Sequence, residues 1–241
     1  MQTIEARTDE FVKLLKAYDE KGCLEYIDKY DGFYSTIDTL LNTSMLQMTC
    51  TYKLSQVAKA LIDKNCDLTH RNIFGHTALM YASCFKLSNV TTYIIDNLVD
   101  VMTRVNVYGI SEMMYLCENG DANDIVKMID RGYDIYYKTD HNQTLFTIAI
   151  RHCSKEVVGK LIDVDMDFAN QFKTYCEING IEPNFYNTIM KHINDKRDSY
   201  KHEIIATMND VSPINMLYQS FHTTYAVELV DVICDFILLK M

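Results

Sequence analysis

The sequence predicts an all-α fold, a stack of helix-turn-helix units joined by short turns, with about six to seven units of roughly 34 residues each. Three observations lead there. An apolar-apolar-Asp tag recurs as Tyr26-Ile27-Asp28, Leu61-Ile62-Asp63, Ile94-Ile95-Asp96, Met128-Ile129-Asp130 and Leu161-Ile162-Asp163, its aspartates 35, 33, 34 and 33 residues apart. A second tag, running from Gly75-His76-Thr77-Ala78-Leu79 to Gly109-Ile110-Ser111-Glu112-Met113 and Asn142-Gln143-Thr144-Leu145-Phe146, keeps the same interval. The 241 residues hold only 8 glycines and 2 prolines, too few for the tight turns of an all-β sandwich.

Each unit opens on a turn. Asn42, Gly75, Gly109 and Asn142 are residue types that tolerate positive φ. Two residues on, Ser44, Thr77, Ser111 and Thr144 are placed to accept a hydrogen bond from an orphaned N–H at a helix N-terminus. The short helix that follows carries apolar and small residues, as at Leu79 and Ala82, for close packing. A break comes next, at Lys86-Leu87-Ser88 and at Asn119-Gly120-Asp121, then a second helix bearing the Asp tag. Gly132 stands where one of these second helices should stop. Further matches at Leu229-Val230-Asp231 and Ser212-Pro213-Ile214 lie two periods beyond Asp163 and Thr144.

The order turn-Gly, Thr, x, Leu, x, x, Ala, then a second helix ending near Gly-x-Asp, resembles the ankyrin repeat. The resemblance covers about Asn42 to Phe168, with Asp67, Asp100, Asp134 and Asp167 matching the Asp of the closing segment. It implies a single domain over 1–241: an N-terminal capping unit at 1–41, the best-matching repeats at 42–169, a degenerate unit at 170–204 and a C-terminal capping unit at 205–241. The Thr-Pro-Leu-His signature is never intact. Ala78, Glu112 and Leu145 replace its proline, and Met80, Met114 and Thr147 replace its histidine. Losing that histidine, which hydrogen-bonds neighbouring units in the family, implies a softer stack. The wording, rich in Asn, Ile, Lys and Tyr, resembles the degenerate ankyrin proteins of AT-rich genomes such as those of large DNA viruses.

A net charge of −10 excludes the basic face that nucleic-acid binding needs, and the stretch from Lys191 to His202 reads as a solvated helix surface. Met1 to Phe11 has no apolar run of a secretory signal. Val227 to Leu239 is too short and too interrupted to cross a bilayer. The eight cysteines are widely spaced and read as reduced, mostly buried thiols in the cytosol, with the nucleus as the other compartment.

No motif reads as a catalytic centre, metal site or cofactor site. Asp163-Val164-Asp165-Met166-Asp167 begins like a calcium loop, but Phe168 and Thr174 stand where glycine and glutamate are needed. His70 and His76 read as surface residues of a turn, and there is no phosphate loop, serine elbow or zinc motif.

The expected activity is therefore binding to another protein, as adaptor or decoy, with no nucleic acid and no membrane as partner. The resemblance places the contacts on turn tips: Arg71, Ile73, Phe74 and His76; Arg104, Val107, Tyr108 and Ile110; Lys138, Asp140, His141 and Gln143. It adds the exposed side of each first helix, at Phe85, Glu118, Asn119, Arg151 and His152. Phe74 and Tyr108 each precede a turn glycine, and exposed tip aromatics make binding anchors. The alternative activity is self-association through the apolar helix Val227–Leu239, as a homodimer.

Overall fold

The structure, a computed structural model, describes residues 3–119, 122–212, 214–221 and Val232. Apart from Val232, the helix expected over 227–239 lies outside the described residues, as do Gly120 and Asp121. The chain is mainly helical, with a single two-stranded ribbon of little extent among the described residues. It packs as two compact units, one ending at His152 and one beginning at Cys153.

In the first unit the helices come in pairs: α1 (Ile4–Lys16) with α2 (Glu20–Lys29), α3 (Met45–Thr51) with α4 (Ser55–Asp63), and α5 (Ala78–Cys84) with α6 (Ser88–Asn97). The pair α7 (Glu112–Asn119) and α8 (Ala122–Asp130) follows, and α9 (Leu145–Arg151) ends the unit. First helices pack on first helices (α3 on α5, α5 on α7, α7 on α9), and second helices on second helices (α2, α4, α6, α8 in turn).

The second helices bury one recurring stripe: Val57, Ala58, Leu61 and Ile62 in α4, and Val90, Thr91, Ile94 and Ile95 in α6. This i, i+1, i+4, i+5 spacing puts four side chains on one face, each Val, Leu or Ile contributing about 1.5–3 kcal/mol when fully buried. The first helices α3, α5 and α9 run only two turns, too short to hold alone in water, so packing sustains them.

The anticipated caps form. The Thr77 hydroxyl accepts from Met80 N–H, that of Ser111 from Met114 N–H, and those of Ser44 and Thr144 from Gln47 and Thr147 N–H in reciprocal capping boxes. Asn42, Gly75, Gly109 and Asn142 all adopt positive φ. Gly75 is doubly constrained, since a Cβ there would stand 2.8 Å from Asn106 Cα. A second set of left-handed residues, Tyr18, Lys53, Lys86 and Cys153, follows α1, α3, α5 and α9. The tag aspartates gain a role: Asp63 accepts from the Tyr93 hydroxyl and Asp96 pairs with Lys127, each partner lying one pair further along.

One junction between neighbouring pairs is bridged by the wholly buried Gln47, which donates from Nε2 to His70 O at 3.3 Å and His76 O at 2.7 Å. At the next, the Thr77 hydroxyl donates to Glu112 Oε1 at 2.6 Å.

The second unit departs from the expected register. It contains α10 (Lys155–Val164), α11 (Asp167–Asn179), α12 (Pro183–Asn209) and α13 (Met216–Phe221), with α10 against α11 and α12. The 27 residues of α12 run straight through the boundary expected at 204, because no glycine or proline stands between Pro183 and its end at Asn209; Pro183 and the Glu182 carboxylate start it. The closing Asp is Asp165, which accepts from Asp167 N–H as Asp67, Asp100 and Asp134 do from the residues two beyond them; Asp167 opens α11 instead. Asn215, not Ser212, accepts from the N-terminus of α13. The basic stretch on α12 is only partly solvated. Lys196 donates to Ile162 O and Asp163 O at the end of α10, and both Lys196 and His192 pair with the Asp163 carboxylate. Among the described residues no helix is long and apolar enough to cross a membrane.

Candidate functional site

The tips of the first unit are closed by side chains that share one position. Asn72 Oδ1 accepts from Phe74 and His76 N–H, Asn106 Oδ1 from Tyr108 and Ile110 N–H, and Thr139 Oγ1 from His141 and Gln143 N–H. Each lies three residues before the left-handed residue of its turn, a periodic signal present in the sequence. Neighbouring tips are also joined through backbone: Ile73 N–H donates to Leu41 O and Val107 N–H to Phe74 O. With its backbone satisfied, the edge holds its side chains outward. Ile73 (52% exposed), Phe74 (42%), Val107 (58%) and Tyr108 (73%) form an apolar strip.

Of the other anticipated residues, Lys138, Asp140 and His141 are exposed, and Ile110 and Gln143 are half-buried. Arg71 is exposed but its guanidinium donates to Val105 O on the next tip. Phe85 is half-buried against Tyr81, with ring centroids 6.2 Å apart. Glu118 and Arg151 are paired at 3.3 Å, so neither is a lone charge on the helix face. Asn119, half-buried, donates to Tyr115 O and accepts from Lys86, while His152 is exposed.

Arg104 is a correction. Its side chain is only 9% exposed, clamped between Asp100 and the 3%-exposed Glu112, and it is withdrawn from any partner. The cause is Glu112: a carboxylate pinned under the Thr77 hydroxyl needs a buried cation beside it. Burial pushes the Glu112 carboxyl above its ordinary range against the pull of Thr77 and Arg104.

His70 and His76 are not the surface pair expected. The His70 ring bonds Asn42 O at 2.7 Å, and His76 is half-buried, its basicity lowered by that burial. His76 centres an aromatic row, with ring centroids 6.3 Å from Phe74, 6.1 Å from Tyr81 and 5.5 Å from Tyr115. Tyr81 and Tyr115, absent from the sequence-level set, thus connect the tip strip to the first helices. Nor, among the described residues, are the thiols mostly buried: Cys23, Cys50 and Cys66 are, whereas Cys84 and Cys153 are exposed and Cys117 and Cys176 intermediate.

At the N-terminal end of the same unit, a groove of about 620 Å³ lies between α1, the β1–β2 ribbon (Ile37–Asp38 with Thr43–Ser44) and α3, reaching Tyr81 of α5. No family model and no curated protein matches the chain.

Proposed function

We propose that this chain is a protein-binding module built from degenerate ankyrin-type repeats, acting as adaptor or decoy through its tips and the adjoining face of its first helices. The observation that carries this reading is the apolar strip Ile73, Phe74, Val107 and Tyr108, left in water by a backbone that satisfies itself from tip to tip. Large apolar side chains aligned on a rigid edge favour a protein surface, because burying them against a partner releases hydration at little ordering cost. The 33- to 35-residue periodicity and the helix pairs support the repeat assignment. An acidic chain places a protein ahead of nucleic acid as partner.

The test compares wild type with Phe74→Ala plus Tyr108→Ala. Both side chains are substantially exposed, so melting should hold, while affinity for a captured partner falls by about 1–4 kcal/mol. A partner bound equally well by a folded double variant refutes the tip assignment.

A further inference from the structure

We infer that the N-terminal groove is a docking site for a basic peptide segment of a partner protein, one in which Lys or Arg stands beside apolar residues. This rests on the protein-binding reading above and names the chemistry of the partner.

The groove has an apolar floor and a charged rim. Val12, Met48 and Tyr52 lie along its length, with Met45 beneath, and Ile37 and Leu41 form the wall on the ribbon side. Ile37 and Leu41 are 42% and 38% exposed, so this wall stands in water. The wall is fixed in place: the Thr8 and Thr36 hydroxyls bond at 2.8 Å between α1 and the ribbon, and Asp38 Oδ2 accepts Leu41 N–H at 2.9 Å. A preformed slot orders little of itself on binding.

The rim decides the occupant. Glu5, Asp9 and Asp38 place three carboxylates around the opening against one ammonium, Lys16. The aromatic lining points the same way, since Tyr52 and Tyr81 offer π-systems that attract cations. Two independent sources of negative potential around an apolar floor match a segment that alternates cationic and apolar side chains. They oppose an acidic peptide, a phosphate or an anionic membrane. The groove is continuous with the proposed binding edge, because Leu41 lines it and also accepts the tip-to-tip bond from Ile73. A segment seated here would run on toward the apolar strip.

The experiment pans a random linear-peptide display library against the full chain, against Glu5→Gln/Asp9→Asn/Asp38→Asn, and against Phe74→Ala/Tyr108→Ala. Enriched peptides are then synthesised with a fluorescent label and titrated by anisotropy. Asp38→Asn keeps an oxygen to accept Leu41 N–H, and thermal melts check that both variants fold. The expected result is enrichment of Lys or Arg flanked by apolar residues. Affinity should fall at least about tenfold in the charge variant and weaken with added salt. Enrichment of neutral or acidic peptides, no enrichment, or equal binding by the charge variant overturns the proposal. Peptides indifferent to the charge variant but lost from the tip variant would overturn the groove while leaving the proposed function standing. Peptides indifferent to both variants would remove both.

Discussion

Replacing Arg104 with methionine keeps the volume of its stem and removes its charge, leaving Glu112 without a cation. The two side chains are 9% and 3% exposed and 3.5 Å apart, so water cannot substitute for the missing guanidinium. Breaking a buried pair from one side costs about 3–5 kcal/mol, or roughly a 10 °C fall in melting temperature for a chain of this size. Asp100, 43% exposed, is hydrated and adds little. The pH dependence separates this from a packing defect. Burial raises the folded-state pKa of Glu112 above its ordinary 4.5, so its contribution is fully present below that value and is lost as pH rises through the folded pKa. Without Arg104 the folded value moves higher, and the deficit of R104M should widen above pH 4.5 and close towards it. Asp100 acts in the opposite sense. Despite the upward push of desolvation, Met102 N–H and Arg104 hold it below 3.8, so its contribution is lost only as pH falls beneath that value. Urea titrations of wild type, R104M and E112Q across mildly acidic to neutral pH measure all of this. E112Q keeps an acceptor for Thr77 but breaks the same pair; it should lose the pH dependence of Glu112, so its deficit against wild type narrows as pH rises above 4.5. An R104M deficit below about 1 kcal/mol, or one that ignores pH, refutes the clamp.

The remaining predictions are simpler to measure. Gly75→Ala forces a side chain at positive φ against the Asn106 backbone and should cost about 1–3 kcal/mol in thermal melts. Gln47→Ala removes the donor to His70 O and His76 O and should cost about 1–3 kcal/mol, more than the roughly 1 kcal/mol of the part-buried cap change Thr144→Ala. Among the described cysteines, iodoacetamide mapped by mass spectrometry should modify Cys84 and Cys153 first. Cys50, its thiol pushed to about 12 by burial and by neighbouring Cys66, should react only in denaturant.

The turns and caps of the first unit were legible because local chemistry dictates them. Only certain residue types accept positive φ, and only a side-chain oxygen can serve the first N–H groups of a helix. Asn42, Gly75, Thr77 and Thr144 therefore declared themselves. The left-handed residues Tyr18, Lys53, Lys86 and Cys153 did not, since they keep the period but share no chemistry. Asn72, Asn106 and Thr139 were periodic and could have been found by asking what closes each tip. Arg104 misled because its partners Asp100 and Glu112 meet it only through the fold, and a register that predicts exposure cannot see an ion pair across it. The second unit escaped for the same reason: the tag at Asp163 continues, but α12 supplies His192 and Lys196 to it from a single long helix. The groove was invisible, because α1 and the ribbon converge only in space.

Beside side-chain bonds such as that of Arg71 to Val105 O, neighbouring tips are joined from Ile73 N–H to Leu41 O and from Val107 N–H to Phe74 O, main chain to main chain. The side chains of Ile73, Phe74, Val107 and Tyr108 take no part in these two bonds, so the bonds do not record which residues occupy those four positions. Recognition and cohesion are thereby uncoupled. Ile73, Phe74, Val107 and Tyr108 can be exchanged for other residues without opening a joint, and the edge can acquire a new specificity while its scaffold stays as it is.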